Sequence, residues 1–409
     1  LLFAHVLAGW AARPRAWRAG AAGLLLGVLG LVRPNALLLW PAILLWLAWL
    51  AWRGRASAGR AVAAGLLLTA GWVAPVAPVI ARNYAVSGEF IFISCYGGIN
   101  AFIGNNPEST GDSAKLPQLV EIAGMDGWNC FNYPRVVARL AARRGEAPSF
   151  SGASAYFYGR ACDFVAAQPL EAARLTLRKA LLFWGPATVS DSKEVALERA
   201  SRPPLPWLPG FPVVAAFGVL GLAVAIVRTR GKEAEEAGRS PLFPRAAWEG
   251  AVLLALCAFF CFLSVLPFFV AERYRVPVAA LMMPLGGCAL AFLVGLYRRR
   301  RFNAALRWSA AGLMLLALFH TPWAPYAPDA SRWRLHRALA WSQRGDVAGA
   351  EAERRSALAE DPDNAAAHLQ LGYLLAAAGD RDGARAHYRA AVERSEERRV
   401  GKECVSECR

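Results

Sequence analysis

Long runs without a charged residue set the pattern of this chain. Residues Pro34–Trp52 carry no charge, and neither do 61–81, 203–227, 250–271 and 276–297. Each approaches or exceeds the ~18–20 residues with which a helix covers ~30 Å of hydrocarbon. Five such runs in one chain predict membrane-spanning helices rather than the core helices of a large soluble protein. Two further segments are weaker. Residues 19–32 are apolar but short and held between Arg18 and Arg33, and Phe302–His320 contains Arg307, which can snorkel to the surface. Residues 1–10 read as the end of a helix that begins upstream, so the chain is expected to be truncated at its N-terminus.

Lys and Arg gather in the short polar stretches 11–18, 53–60, 227–245 and 298–307. The excess of basic residues on cytoplasmic loops assigns these to the inside. Alternation then puts 82–202, 272–275 and everything after His320 outside. The expected location is a bacterial inner membrane, crossed many times, with a large loop and the C-terminal part on the periplasmic side. The composition agrees: 56% of residues are hydrophobic, only 19% are charged, and there are 15 Trp and 20 Phe. The net charge of +16 is accounted for partly by topology. With no recognition motif beside the basic residues, a nucleic-acid partner is not expected.

Cys257, Cys261 and Cys288 fall in apolar runs, where thiols act as small apolar side chains. Cys95, Cys130 and Cys162 fall in the external loop, where a disulfide is open among the three and the pair is undetermined. No C-x-x-C and no His cluster marks a metal site.

Residues 331–392 change character, becoming polar and Ala-rich with a period of 34: Ala338 aligns with Gly372, RGDVAGA at 344–350 with AGDRDGA at 378–384, and Ala357 with Ala391. This resembles the tetratricopeptide repeat. Gly345 and Gly379 are expected to end the first helix of each pair, and Pro362 stands at the closing proline. Residues 331–393 are therefore read as repeats, and the array is expected to be longer in the intact protein. Residues 394–409 break the period, with Glu396 where a proline is expected. They resemble the conceptual translation of a sequencing adapter and are read as a non-native tail, Cys404 and Cys408 included.

Three places hold polar groups that spanning helices do not explain. Arg273, Tyr274 and Arg275, with Glu272, lie between two apolar runs on the external side. Their guanidinium forks suit a lipid phosphate, with Tyr274 against the carrier; the alternative is a Glu272–Arg275 ion pair closing a turn. Arg82, Asn83 and Tyr84 follow the Pro-containing run 61–81, as a headgroup anchor or as cleft-lining residues. Residues 96–111 (YGGINAFIGNNPESTG) read as a turn-rich loop, with Asn105 and Asn106 as further cleft-lining candidates. The acidic residues Glu89, Glu108, Asp112, Asp126, Asp191 and Glu194 read as solvated surface.

The segments LVRPNALLLWP (31–41), 81–111 and RYRVP (273–277) resemble the bacterial GT-C membrane glycosyltransferases, in particular the family 39-like and aminoarabinose-transferase-like group. Residues 156–184 resemble the part of that family in which a helix, a Gln-Pro turn (Gln168–Pro169) and a second helix (178–184) lead back to the membrane. Some members end in tetratricopeptide repeats. The resemblance implies a mainly α fold: a polytopic helical bundle with a mixed external loop domain and a C-terminal repeat array. The expected parts are helices at 1–81, an external domain at 82–208, helices at 209–320, repeats at 331–393 and the tail.

The implied activity moves a sugar from a polyprenyl-phosphate carrier to a lipid, glycan or protein acceptor on the outer face. The carrier-linked sugar is the donor, and a divalent metal is left open. A carboxylate acts as general base and cations stabilise the leaving phosphate. That carboxylate is expected upstream of Leu1, so the catalytic residue is unknown here and this piece is expected to be inactive by itself. Two alternatives remain: a membrane-anchored scaffold binding protein partners through its repeats, and a transporter of lipid-linked glycans. No charge falls within the five apolar runs and no repeat of them is evident, which counts against the transporter.

Overall fold

The computed structural model describes residues 1–112, 132–190, 193–230 and 245–407. Among them the chain forms 17 α-helices and no strand. Residues 82–208, expected to form a mixed external domain, are therefore helical, without strands, in their described residues. The chain divides into two compact units. One contains Leu1–Ala187 and Pro209–Tyr326, the other Thr188–Leu208 and Ala327–Arg409. Residues 188–208, assigned from sequence to the external domain, thus group with the repeats.

The first unit is built on α1 (Leu2–Ala12), α2 (Ala16–Val32), α3 (Leu39–Trp52), α4 (Ala58–Ser87), α10 (Phe211–Arg230), α11 (Arg245–Leu263), α12 (Arg275–Arg298) and α13 (Phe302–His320). Among the described residues, five helical segments are long and apolar enough to cross a membrane: Pro34–Trp52, Ala58–Ser87, Leu205–Val227, Glu272–Arg298 and Phe302–His320. Two expectations change. The weaker candidate Phe302–His320 qualifies. The strong candidate 250–271 does not remain helical, because α11 stops at Leu263 and 264–271 runs irregularly. Pro267 contributes to the break, since it has no N–H to continue a helix.

Helix α4 begins at its cap Ser57 and ends at Gly88, whose φ of 68° places it in the left-handed region favoured by glycine. It is longer than the apolar run 61–81, so Arg82, Asn83 and Tyr84 occupy its last turns rather than a loop after it.

Glycine sets how closely these helices approach. A Cβ on Gly23 or Gly27 would collide with the backbone of Leu68 or Trp72, and one on Gly71 with Gly20. Small residues that let backbones touch are a common basis of helix pairing where hydrophobicity cannot discriminate partners. The register of these contacts makes α2 and α4 parallel. Trp40 stacks on Trp72, and its indole N–H donates to Thr69 Oγ1 at 3.0 Å, while Gly65 meets Leu44, so α3 runs against α4. In the second half, Gly218 meets Met282 and Gly221 meets the Leu285 backbone, making α10 and α12 parallel.

The helix ends therefore sort into two groups. At one end the Trp46 indole N–H donates to the Glu249 carbonyl at 2.9 Å, and Arg55 pairs with the Glu249 carboxylate at 2.8 Å. At the other, Arg33 donates to the Arg273 carbonyl at 2.8 Å.

The second unit contains α9 (Val195–Ala200) and two α-hairpins: α14 (Ala330–Gln343) with α15 (Val347–Glu360), and α16 (Ala365–Ala377) with α17 (Arg381–Glu407). Gly345 and Gly379 take φ of 80° and 87° between the helices of each pair, as the 34-residue period predicts. The aspartate after each glycine caps the next helix: Asp346 accepts from Gly349 N at 2.8 Å and Asp380 from Gly383 N at 2.9 Å. The aligned small residues Ala338, Ala357, Gly372 and Ala391 are all buried.

Candidate functional site

Between α4 and α10, four helices form a small domain: α5 (Gly97–Gly104), α6 (Tyr133–Arg144), α7 (Phe150–Ala167) and α8 (Pro169–Trp184). The break at Gln168 and the start at Pro169 lie where the sequence puts them, because proline suits the first turn of a helix. The stretch expected to be a turn-rich loop is helical from Gly97 to Gly104. Its glycines serve contact rather than turning: a Cβ on Gly98 would strike the backbone of Ser154, and one on Gly104 that of Phe268. Only Gly111, at φ 77°, is a turn glycine there.

This domain closes over the irregular segment 264–271. Phe269 and Ala271 enter its core beside Ile99, Phe102, Tyr133 and Phe157. A segment that leaves a helix among apolar neighbours strands its carbonyls, and these must find donors. Lys179 supplies one, donating from Nζ to the Leu266 carbonyl at 3.0 Å and to Asn105 Oδ1 at 3.0 Å. Asn105 supplies another, from Nδ2 to the Pro267 carbonyl at 2.7 Å and to Ala101 at 2.8 Å. Lys179 is fully buried, with no carboxylate within ion-pair distance among the described residues. Burial lowers its ammonium pKa to about 8.

One turn further on, Arg275 closes the same junction from the other side. It is 2% exposed. Its Nη1 donates to Glu272 Oε2 at 2.9 Å, and its Nη2 to the carbonyls of Leu182 and, at 3.2 Å, Gly185. Its guanidinium lies 5.0 Å from the Phe211 ring centre. The cation thus caps the C-terminus of α8, where the helix dipole is negative. Of the two readings of this motif, the Glu272–Arg275 ion pair is present and occupies Arg275. Arg273 is exposed, with its guanidinium 5.0 Å from the Tyr274 ring centre and 3.1 Å from its hydroxyl.

The other candidates are spread out. Asn105 and Asn106 are both buried. Asn106 donates to the Phe102 carbonyl at 2.8 Å and accepts from Glu108 N at 2.8 Å. Asn83 donates to the Ile91 carbonyl at 3.2 Å, while Arg82 and Tyr84 are exposed on α4. A cleft of about 250 Å³ opens on the far side of α8, lined by Asn106, Ser109, Gln168, Glu171, Arg174 and Arg178 among others. Arg178 is held there by the Thr110 carbonyl at 2.8 Å and by Asp112 at 3.2 Å.

Asp112 and Glu89 are therefore not merely solvated. Glu89 sits at the N-terminus of α7, accepting from Ser151 N at 2.7 Å, Phe150 N at 3.2 Å and Ser149 Oγ at 3.1 Å. Burial raises its pKa, but these hydrogen bonds outweigh that and hold it below the ordinary 4.5. Its stabilisation is present above 4.5 and is lost as pH falls through the lower folded-state value. Glu89→Gln is expected to cost about 1 kcal/mol at neutral pH and nothing in strong acid. Melting of both proteins across pH 3–7 checks this.

Glu194, also read as surface, is buried and accepts from Ser190 Oγ at 2.5 Å. Cys95 and Cys162 carry free thiols. Cys130, Asp126 and Asp191 lie outside the described residues.

Lys179 was the residue least expected from sequence. A signal was present: at helical spacing it shares a face with Leu175, Leu182 and Phe183, which makes it a cation on an apolar stripe.

Residues 342–400 match the tetratricopeptide repeat family. The match begins within α14 and runs past residue 393, overlapping the segment read as a tail. No curated protein and no solved structure matches the chain. The C-terminal part of this protein therefore contains a tetratricopeptide repeat, a module that generally mediates protein–protein contact.

Proposed function

We propose that the protein is a membrane glycosyltransferase that draws a sugar from a polyprenyl-phosphate carrier, with a repeat segment that binds a protein partner. The observation that carries this reading is where exposed Arg273 and half-buried Tyr274, which packs against Phe269, lie. They share one end of the apolar bundle with Arg33 and with the C-terminal turns of α4 that hold Arg82 and Tyr84. The polar helical domain folds over that same end. A carrier phosphate at headgroup level would meet guanidinium groups there, and a polar acceptor would be met by the domain above.

The exposed faces of the helices fit a lipid surround. Leu45, Leu66, Leu313, Met314 and Val294 are each more than half exposed. Apolar surface of this extent is rare in water. The basic stretch around Arg55 then faces the cytoplasm.

In the transfer, the acceptor oxygen bonds to the anomeric carbon as the bond to the carrier phosphate breaks. The acceptor proton passes to a general-base carboxylate. Arg273 stabilises the charge left on the phosphate.

Binding of a polyprenyl phosphate to the chain in detergent is the direct test. Arg273→Ala is expected to weaken it by roughly tenfold or more, since a hydrogen bond to a charged group is worth about 1.5–3 kcal/mol. Equal binding by both proteins removes Arg273 from the phosphate site. Absence of binding by the unmodified chain favours the second reading, a membrane-anchored scaffold, which the tetratricopeptide match supports by itself.

A further inference from the structure

The repeat unit brings together two histidines that stand 19 positions apart in the chain. His368 lies on α16 and His387 on α17, and their Nδ1 atoms are 2.9 Å apart. The ring centres are 5.1 Å apart and the planes are tilted by 36°. On its other side, His368 Nε2 meets the Pro362 carbonyl at 3.1 Å. A carbonyl accepts only, so Nε2 carries the proton and neutral His368 presents a lone pair at Nδ1. Fixing a ring in this way, by an N–H to a backbone carbonyl, is how proteins orient histidine ligands of metals.

We propose that His368 and His387 form a two-histidine site for a divalent transition-metal ion, tying α16 to α17 within the repeat. Two nitrogens 2.9 Å apart, each at about 2.0–2.1 Å from one ion, subtend an angle of about 90°. That angle matches neighbouring positions of a square-planar or octahedral ion, the geometries of Cu²⁺ and Ni²⁺, better than a tetrahedral one. Both rings are partly exposed, so water completes the coordination. Around the pair lie Arg355 on α15 and Asp380 at the start of α17. Without metal, the pair shares one proton as a hydrogen bond between the two Nδ1 atoms.

The full chain in detergent, titrated with Cu²⁺ and Ni²⁺ at pH 7.5, tests this. One equivalent is expected to bind and to raise the melting temperature, with Cu²⁺ tighter than Ni²⁺. His368→Gln and His387→Gln are each expected to weaken binding at least tenfold. Binding is also expected to fall as pH drops below about 6.5, where protons compete for imidazole. Electron paramagnetic resonance of the Cu²⁺ form is expected to show coupling to two imidazole nitrogens, a readout that does not depend on the folding of any variant. Wild-type binding that persists in both variants places the metal elsewhere, on cysteines for example, and overturns the proposal. So does a copper spectrum without two nitrogens, or a chain that binds no equivalent of either ion.

Discussion

Arg275→Ala is expected to destabilise the chain by roughly 3 kcal/mol or more, whereas Arg273→Ala leaves its stability nearly unchanged. The two arginines are separated by one residue in RYRVP and look equivalent in the sequence. In the fold, Arg275 is 2% exposed and donates to Glu272, Leu182 and Gly185. Truncation removes the cation from beneath two carbonyls at the end of α8, and each buried acceptor left without a donor costs about 1–3 kcal/mol. It also leaves a hole against Phe211. Arg275→Lys keeps the charge but lacks the planar fork that reaches two carbonyls and a carboxylate together, so an intermediate loss is expected. Thermal unfolding in detergent reads the difference. Equal melting of the Arg275→Ala and Arg273→Ala proteins would show that the α8 cap contributes little. A loss of carrier binding in an unfolded Arg275 variant says nothing about phosphate contact, and for this reason the functional test rests on Arg273.

The second large effect belongs to Lys179 and shows in its pH dependence. Its pKa is about 8 when folded, against an ordinary 10.5. Between those values the unfolded chain holds a proton that the folded chain has released, so stability rises with pH across that window. Below about 8 both states are protonated and the burial of charge weighs in full, at ~3 kcal/mol from the size of the shift. Lys179→Met removes this penalty but strands Leu266 O and Asn105 Oδ1, at about 1–3 kcal/mol each. The two effects largely offset near pH 7. As pH rises from 8 to 10.5, the wild type gains stability that the methionine variant does not. The gap between their melting temperatures is therefore expected to widen steadily over that interval. Parallel curves would mean that Lys179 is not buried as a cation.

Together these residues explain why a helix-length apolar run does not become a helix throughout. Residues 250–271 have the length and composition of a span. Yet α11 ends at Leu263, and the carbonyls of Leu266 and Pro267 turn to Lys179 and Asn105. The donors lie far from that run in the sequence, and no local pattern in 250–271 reveals them.

What the sequence determined by itself are the features that depend on neighbours along the chain. The apolar run of Pro34–Trp52, the Gln168–Pro169 break and the 34-residue repeat with its glycines at 345 and 379 all express local periodicity, capping and backbone freedom. Only the tertiary structure decided which polar groups are spent on architecture. Arg275, Lys179, Asn105 and Glu89 differ from exposed Arg273 in what folds over them, not in their chemistry. His368 and His387 meet only because two helices of one hairpin pack side by side. Burial and hydrogen-bond partners are set by segments distant in sequence, and a side chain's own identity carries no record of them.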